Sequence, residues 1–135
     1  MSNNILLIED TRKDELLTVR ALRKSQVVNE VIILRDGQEA VDYLTDTSNE
    51  LPMFVILDFK LPKLSGLEVL KHIRSDQRTR FLPVVMLTSS DDHRDMEAAY
   101  ANGVNSFVSK PVDMAEFNVA VQELGLYWMI INQQP

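Results

Sequence analysis

Five short apolar runs recur along this chain, and they leave few architectures open. They are Ile5-Leu6-Leu7-Ile8, Val31-Ile32-Ile33-Leu34, Phe54-Val55-Ile56-Leu57, Val84-Val85-Met86-Leu87 and the shorter Ser106-Phe107-Val108. Continuous aliphatic runs of about four residues suit strands buried on both faces. Between the runs, apolar residues fall at helical spacing. The stripes are Leu16, Val19 and Leu22 (with Leu17 and Ala21 beside them), Ala40, Tyr43 and Leu44, Leu67, Leu70 and Ile73, Met96, Ala99 and Tyr100, and Phe117, Val121 and Leu124. Each predicts a helix with one apolar side.

Helix starts carry their own chemistry. Ser65 precedes Glu68 by three residues, Asp36 precedes Glu39 and Asp113 precedes Glu116. Such pairs resemble capping boxes, in which a side-chain oxygen accepts from an N–H that the helix leaves unpaired. Asn102-Gly103 is a C-terminal cap for the fourth helix. Strand and helix therefore alternate five times. The expected fold is α/β, a (βα)5 doubly wound parallel sheet of flavodoxin type with strand order 2-1-3-4-5.

At 135 residues the chain has the size of one domain, and a core spanning 4–124 leaves an apolar tail, 125–135. It contains no cysteine, which excludes disulfides, thiolate metal sites and a cysteine nucleophile. The N-terminus lacks a signal-peptide pattern, and no apolar run approaches the roughly 20 residues that span a bilayer. A cytoplasmic protein without membrane attachment is expected. Its net charge of -6 repels nucleic-acid phosphates rather than collecting them.

In an open α/β sheet, ligands bind at the carboxyl ends of the strands, near the switch in strand order. Glu9 and Asp10 follow the first strand, and Asp58 ends the third. Thr88, Ser89 and Ser90 follow the fourth, and Ser109, Lys110 and Pro111 the fifth. Arg35 and Asp36 follow the second, at the sheet edge and away from the switch. Alone, Asp10 reads as a helix cap, Thr88 as a turn residue and Lys110 as a solvated charge. Together they predict a pocket of three carboxylates, a hydroxyl and an ammonium. Close carboxylates repel one another, and a divalent cation removes the conflict. Oxygen donors without histidine or cysteine favour Mg²⁺. Beside such a cation, a carboxylate can act as a nucleophile toward phosphorus.

These residues resemble those of response-regulator receiver domains, the chemotaxis-type fold of two-component signalling. The likeness runs from residue 4 to about 124. It rests on Glu9-Asp10, on Asp58 in Leu57-Asp58-Phe59-Lys60-Leu61-Pro62, on Gly66, on Thr88 in Met86-Leu87-Thr88-Ser89, and on Lys110-Pro111. The resemblance implies that Asp58 is the phosphoacceptor and Asp10 a direct Mg²⁺ ligand. It makes the backbone carbonyl of Lys60 a further ligand and lets Glu9 act through metal-bound water. It assigns Lys110 and Thr88 to the phosphoryl group, Phe107 to the aromatic switch position, and a cis bond to Pro111. It implies a stand-alone response regulator that takes its phosphoryl group from a histidine kinase or phosphotransfer protein and signals by contact with a downstream protein. It is no enzyme beyond its own phosphorylation and dephosphorylation.

The chain departs from the commonest pattern in places. Glu9 stands where aspartate is usual, and Lys60 and Ser90 occupy positions that tune dephosphorylation in the family. The loop 46–50, Arg80-Phe81-Leu82-Pro83 and the aromatic tail resemble the subgroup partnered with phytochrome-type kinases. That tail, Leu124 to Ile131, has two readings, packing on its own domain or a homodimer contact. His72 and His93 are expected at the surface. A haloacid-dehalogenase-type hydrolase would need an acid where Lys60 stands. A nucleotide or flavin carrier would need a glycine-rich phosphate loop that the four glycines do not form. A receiver that works without phosphorylation would not require Asp10, Asp58, Thr88 and Lys110 together.

Overall fold

The computed structural model describes residues 2–89, 92–110 and 113–123, apart from the side chains of residues 114 and 121–123. Strands and helices alternate in the expected order: β1 (Ile5–Ile8), α1 (Arg12–Lys24), β2 (Val31–Leu34), α2 (Gly37–Thr45), β3 (Phe54–Asp58), α3 (Gly66–Ser75), β4 (Val84–Thr88), α4 (His93–Ala101), β5 (Ser106–Ser109) and α5 (Met114–Glu123). The five strands form one parallel sheet in the order β2-β1-β3-β4-β5.

Alternate residues of the strands feed two separate cores, because successive side chains of a strand point to opposite faces. Leu6, Ile8, Val55, Leu57, Val84 and Met86 pack with Ala40 and Leu44 of α2, Val69, Leu70 and Ile73 of α3, and Ala99 of α4. Ile5, Leu7, Phe54, Ile56, Val85, Leu87 and Val108 pack with Leu22 of α1 and with Phe117 and Ala120 of α5. Burying such a side chain stabilises the fold by roughly 1.5–3 kcal/mol, so losing either layer would remove much of the driving force.

The caps follow the chemistry read from the sequence, with one variation. Ser65 and Glu68 form a full capping box at α3. Asp36 accepts from the Glu39 N–H, and Asp113 accepts from the Glu116 N–H. Glu116 sends its own carboxylate elsewhere, accepting from the Ser109 N–H at 3.2 Å, which ties the start of α5 to the end of β5. Gly103 follows α4 with φ +91°, a left-handed conformation that glycine adopts without cost.

Three expectations are corrected. The β2 strand is only partly buried at Val31, Ile32 and Ile33, because it lies at the sheet edge. In α1 the inward face holds Thr18, Ala21 and Leu22, so Leu16 and Leu17 are exposed. In α4 only Ala99 is buried, and Met96 and Tyr100 face outward. Among the described residues no helix is long and apolar enough to cross a membrane. The tail from Leu124 onward lies outside the described residues.

Candidate functional site

Parallel register brings four strand ends level. Ile8 pairs with Leu57, Asp58 with Leu87, and Thr88 with Ser109. The ladder continues one residue past each strand: the Glu9 N–H donates to the Leu34 carbonyl at 2.9 Å, Phe59 to Leu87 at 2.8 Å, and Lys110 to Thr88 at 2.7 Å. Glu9, Asp58, Thr88 and Lys110 are thus held by sheet backbone rather than by free loops.

Lys110 crosses to the acidic side of this edge. Its Nζ donates to Glu9 Oε1 at 2.7 Å, to Asp58 Oδ2 at 2.9 Å and to Asp14 Oδ2 at 3.0 Å. All three ammonium protons are therefore engaged with carboxylates. Glu9, Asp10 and Asp58 each present a carboxylate oxygen within 4.8 Å of the others, a grouping able to hold a metal ion. Glu9 and Asp58 are buried, whereas Asp10 is exposed. Lys60 is exposed too, but its backbone N–H donates to Asp58 Oδ1 at 3.3 Å, which brings the chain at position 60 beside the acceptor.

Electrostatics follow from this crowding. Burial pushes the Glu9 carboxyl up to about 7. The Lys110 ammonium pulls it down, while neighbouring Asp58 pushes it further up. Burial alone would lower Lys110, but its bonds to Glu9, Asp58 and Asp14 raise it, so the ammonium stays protonated. One firmly held cation thus faces carboxylates whose charge it cannot fully balance.

The loop from β3 to α3 closes tightly over the acceptor. The Gly66 N–H donates to the Phe59 carbonyl at 2.8 Å. A Cβ at Gly66 would lie 2.2 Å from the Asp58 carbonyl oxygen and 2.8 Å from the Phe59 Cα, so only glycine permits this approach. Thr88 is buried at the end of β4. Phe107 is half-buried on β5 and meets Phe59 edge-on, with centroids 6.2 Å apart and planes at 66°.

The structure brings together Glu9, Asp10, Asp58 and Lys110, and sets Thr88 at an adjoining strand end. It also brings in residues the sequence reading passed over. Asp14 belongs to the first turn of α1 and reaches Lys110; its spacing of four from Asp10 was the available signal. Arg35 lies nearer the site than expected. It donates to the Glu9 carbonyl at 3.2 Å and pairs with Glu15 of α1. Phe59, the neighbour of Phe107, was legible only as the residue after Asp58. His72 and His93 are exposed, as expected. Ser90, Pro111 and the dimer reading of the tail fall outside the described residues.

Comparison with known proteins bears on family and fold. The family model described as "Response regulator receiver domain" matches residues 5–122. A probable methanogenesis regulatory protein, FilR2 of Methanothrix harundinacea (strain 6Ac), is 39% identical over 134 residues, covering 97% of this chain and 86% of the relative. The structure of the bacteriophytochrome response regulator AtBRR superposes with a TM-score of 0.83 at 46% identity, over 95% of this chain and 96% of that one. The Mn²⁺-bound form of response regulator Rcp1 superposes with a TM-score of 0.77 at 30% identity, over 99% and 98%.

Proposed function

Since the chain belongs to the response-regulator receiver-domain family, a two-component signalling domain, we propose that it accepts a phosphoryl group on Asp58 in a Mg²⁺-dependent reaction. The observation that carries the reading is the Lys110 ammonium, bonded to Asp58 at 2.9 Å and to Glu9 at 2.7 Å beside the Asp10 carboxylate. The donors fit Mg²⁺: they are hard oxygens with no histidine or cysteine among them, and their mutual repulsion favours a dication. Asp10 and Asp58 would bind it directly, with the Lys60 carbonyl as third protein ligand and Glu9 reached through water. When bound, Mg²⁺ supplies charge neutralisation for the phosphoryl oxygens.

A carboxylate oxygen of Asp58 attacks the phosphorus of a phosphohistidine donor. The P–N bond breaks, its electron pair returns to the imidazole ring, and an acyl phosphate remains on Asp58. Lys110 exchanges a carboxylate contact for a phosphoryl oxygen, and the Thr88 hydroxyl donates to another. Phe107 then turns against Phe59, changing the face formed by α4, β5 and α5. Met96 and Tyr100 are already exposed on that side, ready for a protein partner. Signalling is a population shift between two conformations.

The phosphoryl donor in this reading is a histidine kinase or phosphotransfer protein, of phytochrome type by likeness to AtBRR. Residues 5–122 act as the receiver domain in this reading, in the cytoplasm. Its output is contact with a downstream protein, and its only chemistry is its own phosphorylation and dephosphorylation. The apolar tail either packs on its own domain or makes a homodimer contact, and sedimentation over a concentration series separates the two. Nucleic acid is no partner, given the net charge of -6.

Intact-protein mass after incubation with acetyl phosphate tests the proposal. A gain of one phosphoryl group is expected, lost without Mg²⁺ and lost in Asp58→Asn. No gain with acetyl phosphate, followed by none with a phosphorylated histidine donor, would leave a receiver that binds partners without phosphorylation.

A further inference from the structure

The Lys110 ammonium is held at three points, and the third is not part of the strand-end cluster. Asp14 lies in the first turn of α1, after the Thr11 cap, and accepts from Lys110 Nζ at 3.0 Å. Its side chain is 33% exposed, against 7% for Asp58 and none for Glu9. It is thus the one carboxylate on Lys110 that stands at the mouth of the site. A carboxylate in the first turn of a helix also interacts favourably with the helix dipole.

The other two partners of Lys110 are drawn away when the site works. Phosphorylation turns one Asp58 oxygen into the bridging oxygen of a mixed anhydride and removes the carboxylate charge, which makes Asp58 a much weaker acceptor. A cation in the acidic cluster competes with Lys110 for Glu9 and Asp58. Asp14 is outside that cluster and takes no part in either event, so its bond to Lys110 can persist through both. An ammonium on a flexible four-carbon stem would otherwise swing into solvent. One fixed anchor leaves two N–H groups aimed inward.

We propose that Asp14 is a positioning residue that anchors the Lys110 ammonium over Asp58, so that Lys110 stays in place while its bonds to Glu9 and Asp58 are exchanged for a phosphoryl oxygen. This rests on the phosphoacceptor reading of Asp58, but the anchoring itself exists before any phosphoryl transfer. Removing the anchor lets Lys110 stray without removing its charge. Asp14→Asn should therefore slow phosphorylation at saturating Mg²⁺ by roughly tenfold, the worth of about one charge-assisted hydrogen bond. Asp14→Glu should recover part of that rate. In a Lys110→Met background, Asp14→Asn should change nothing further, since the group it positions is gone.

Two measurements decide the matter. The first is the rate of mass gain from acetyl phosphate for wild type, Asp14→Asn, Lys110→Met and the double variant. Wild-type rate in Asp14→Asn, or equal additive losses in both backgrounds, overturns the anchor. The second is the NMR signal of the Lys110 ε-methylene in the unphosphorylated protein. Asp14→Asn should shift and sharpen it, and an unmoved signal overturns the anchor independently of phosphorylation. Wild type that gains no mass, with a Lys110 signal that does shift, would sink the phosphoacceptor reading and leave the anchor standing.

Discussion

The Lys110 ammonium lies 2.9 Å from an Asp58 carboxylate oxygen across 52 residues of chain. Both groups are nearly buried, and the ammonium is shared with Glu9 and Asp14. A buried cation that serves several anions is hard to remove, because breaking such a set strands uncompensated charge. Lys110→Met should accordingly destabilise the metal-free protein by roughly 1–3 kcal/mol. Mg²⁺ should restore more stability to the variant than it adds to wild type, since the cation then replaces the missing ammonium. Urea unfolding with and without Mg²⁺ measures both. Equal Mg²⁺ stabilisation in the two proteins would contradict the shared-charge picture.

Glu9 gives the metal-free protein a pH dependence of known sign. Its folded-state value is raised from 4.5 to about 7, chiefly by burial. A carboxyl raised on folding binds its proton more tightly in the native state, so ionising it costs stability. Stability should fall as pH rises from about 4.5 to about 7 and level off above that. Glu9→Gln, neutral throughout, should flatten that segment of the curve. Denaturant midpoints between pH 4 and 8, in the presence of a chelator, give the slope; a slope unchanged in Glu9→Gln would place its origin elsewhere.

Much of this arrangement is legible in the sequence. The continuous runs gave the strands, and the rule that ligands gather at carboxyl ends picked out Glu9, Asp10, Asp58, Thr88 and Lys110 from single positions along the chain. What the runs could not show was how α1 and α4 are rotated about their axes. Leu16 and Leu17 have the right spacing for a core stripe, yet Thr18, Ala21 and Leu22 face inward. The same rotation brings Asp14 toward Lys110, so one misread face hid one residue of the site. Arg35 was hidden differently. Strand order places β2 at the edge, but a long arginine side chain reaches the neighbouring Glu9 carbonyl. Side-chain reach is not written in strand order.

Gly66 should tolerate no side chain. Its missing Cβ leaves room for the Asp58 carbonyl and the Phe59 backbone, with which a methyl group would clash at 2.2 and 2.8 Å. Backbone atoms held by the sheet cannot swing aside as a flexible side chain would. Gly66→Ala should cost about 2–4 kcal/mol, although alanine is the better helix former. It should also slow phosphorylation, because the shift falls on the acceptor residue itself. A variant as stable as wild type in urea would show that the β3–α3 loop can give way.

Arg74 of α3 joins the opposite ends of the same strands. Its guanidinium donates to the carbonyls of Gly103, Arg80 and Leu82 at 2.9, 3.1 and 2.7 Å, and to Asn105 Oδ1 at 3.1 Å. Those acceptors lie in the loops that lead into β4 and β5. The Asn105 amide oxygen also accepts from the Val84 N–H at 2.8 Å, closing the network on β4 itself. Lysine would keep the charge but lacks the planar fork that serves several carbonyls at once. Arg74→Lys should therefore lose about 1–3 kcal/mol, nearly as much as Arg74→Met. Hydrogen exchange should quicken most at Val84 and Asn105, while amides of β1 and β2 keep their protection relative to global stability. Uniform loss of protection across all five strands would mean that Arg74 supports the whole domain rather than the β4–β5 end.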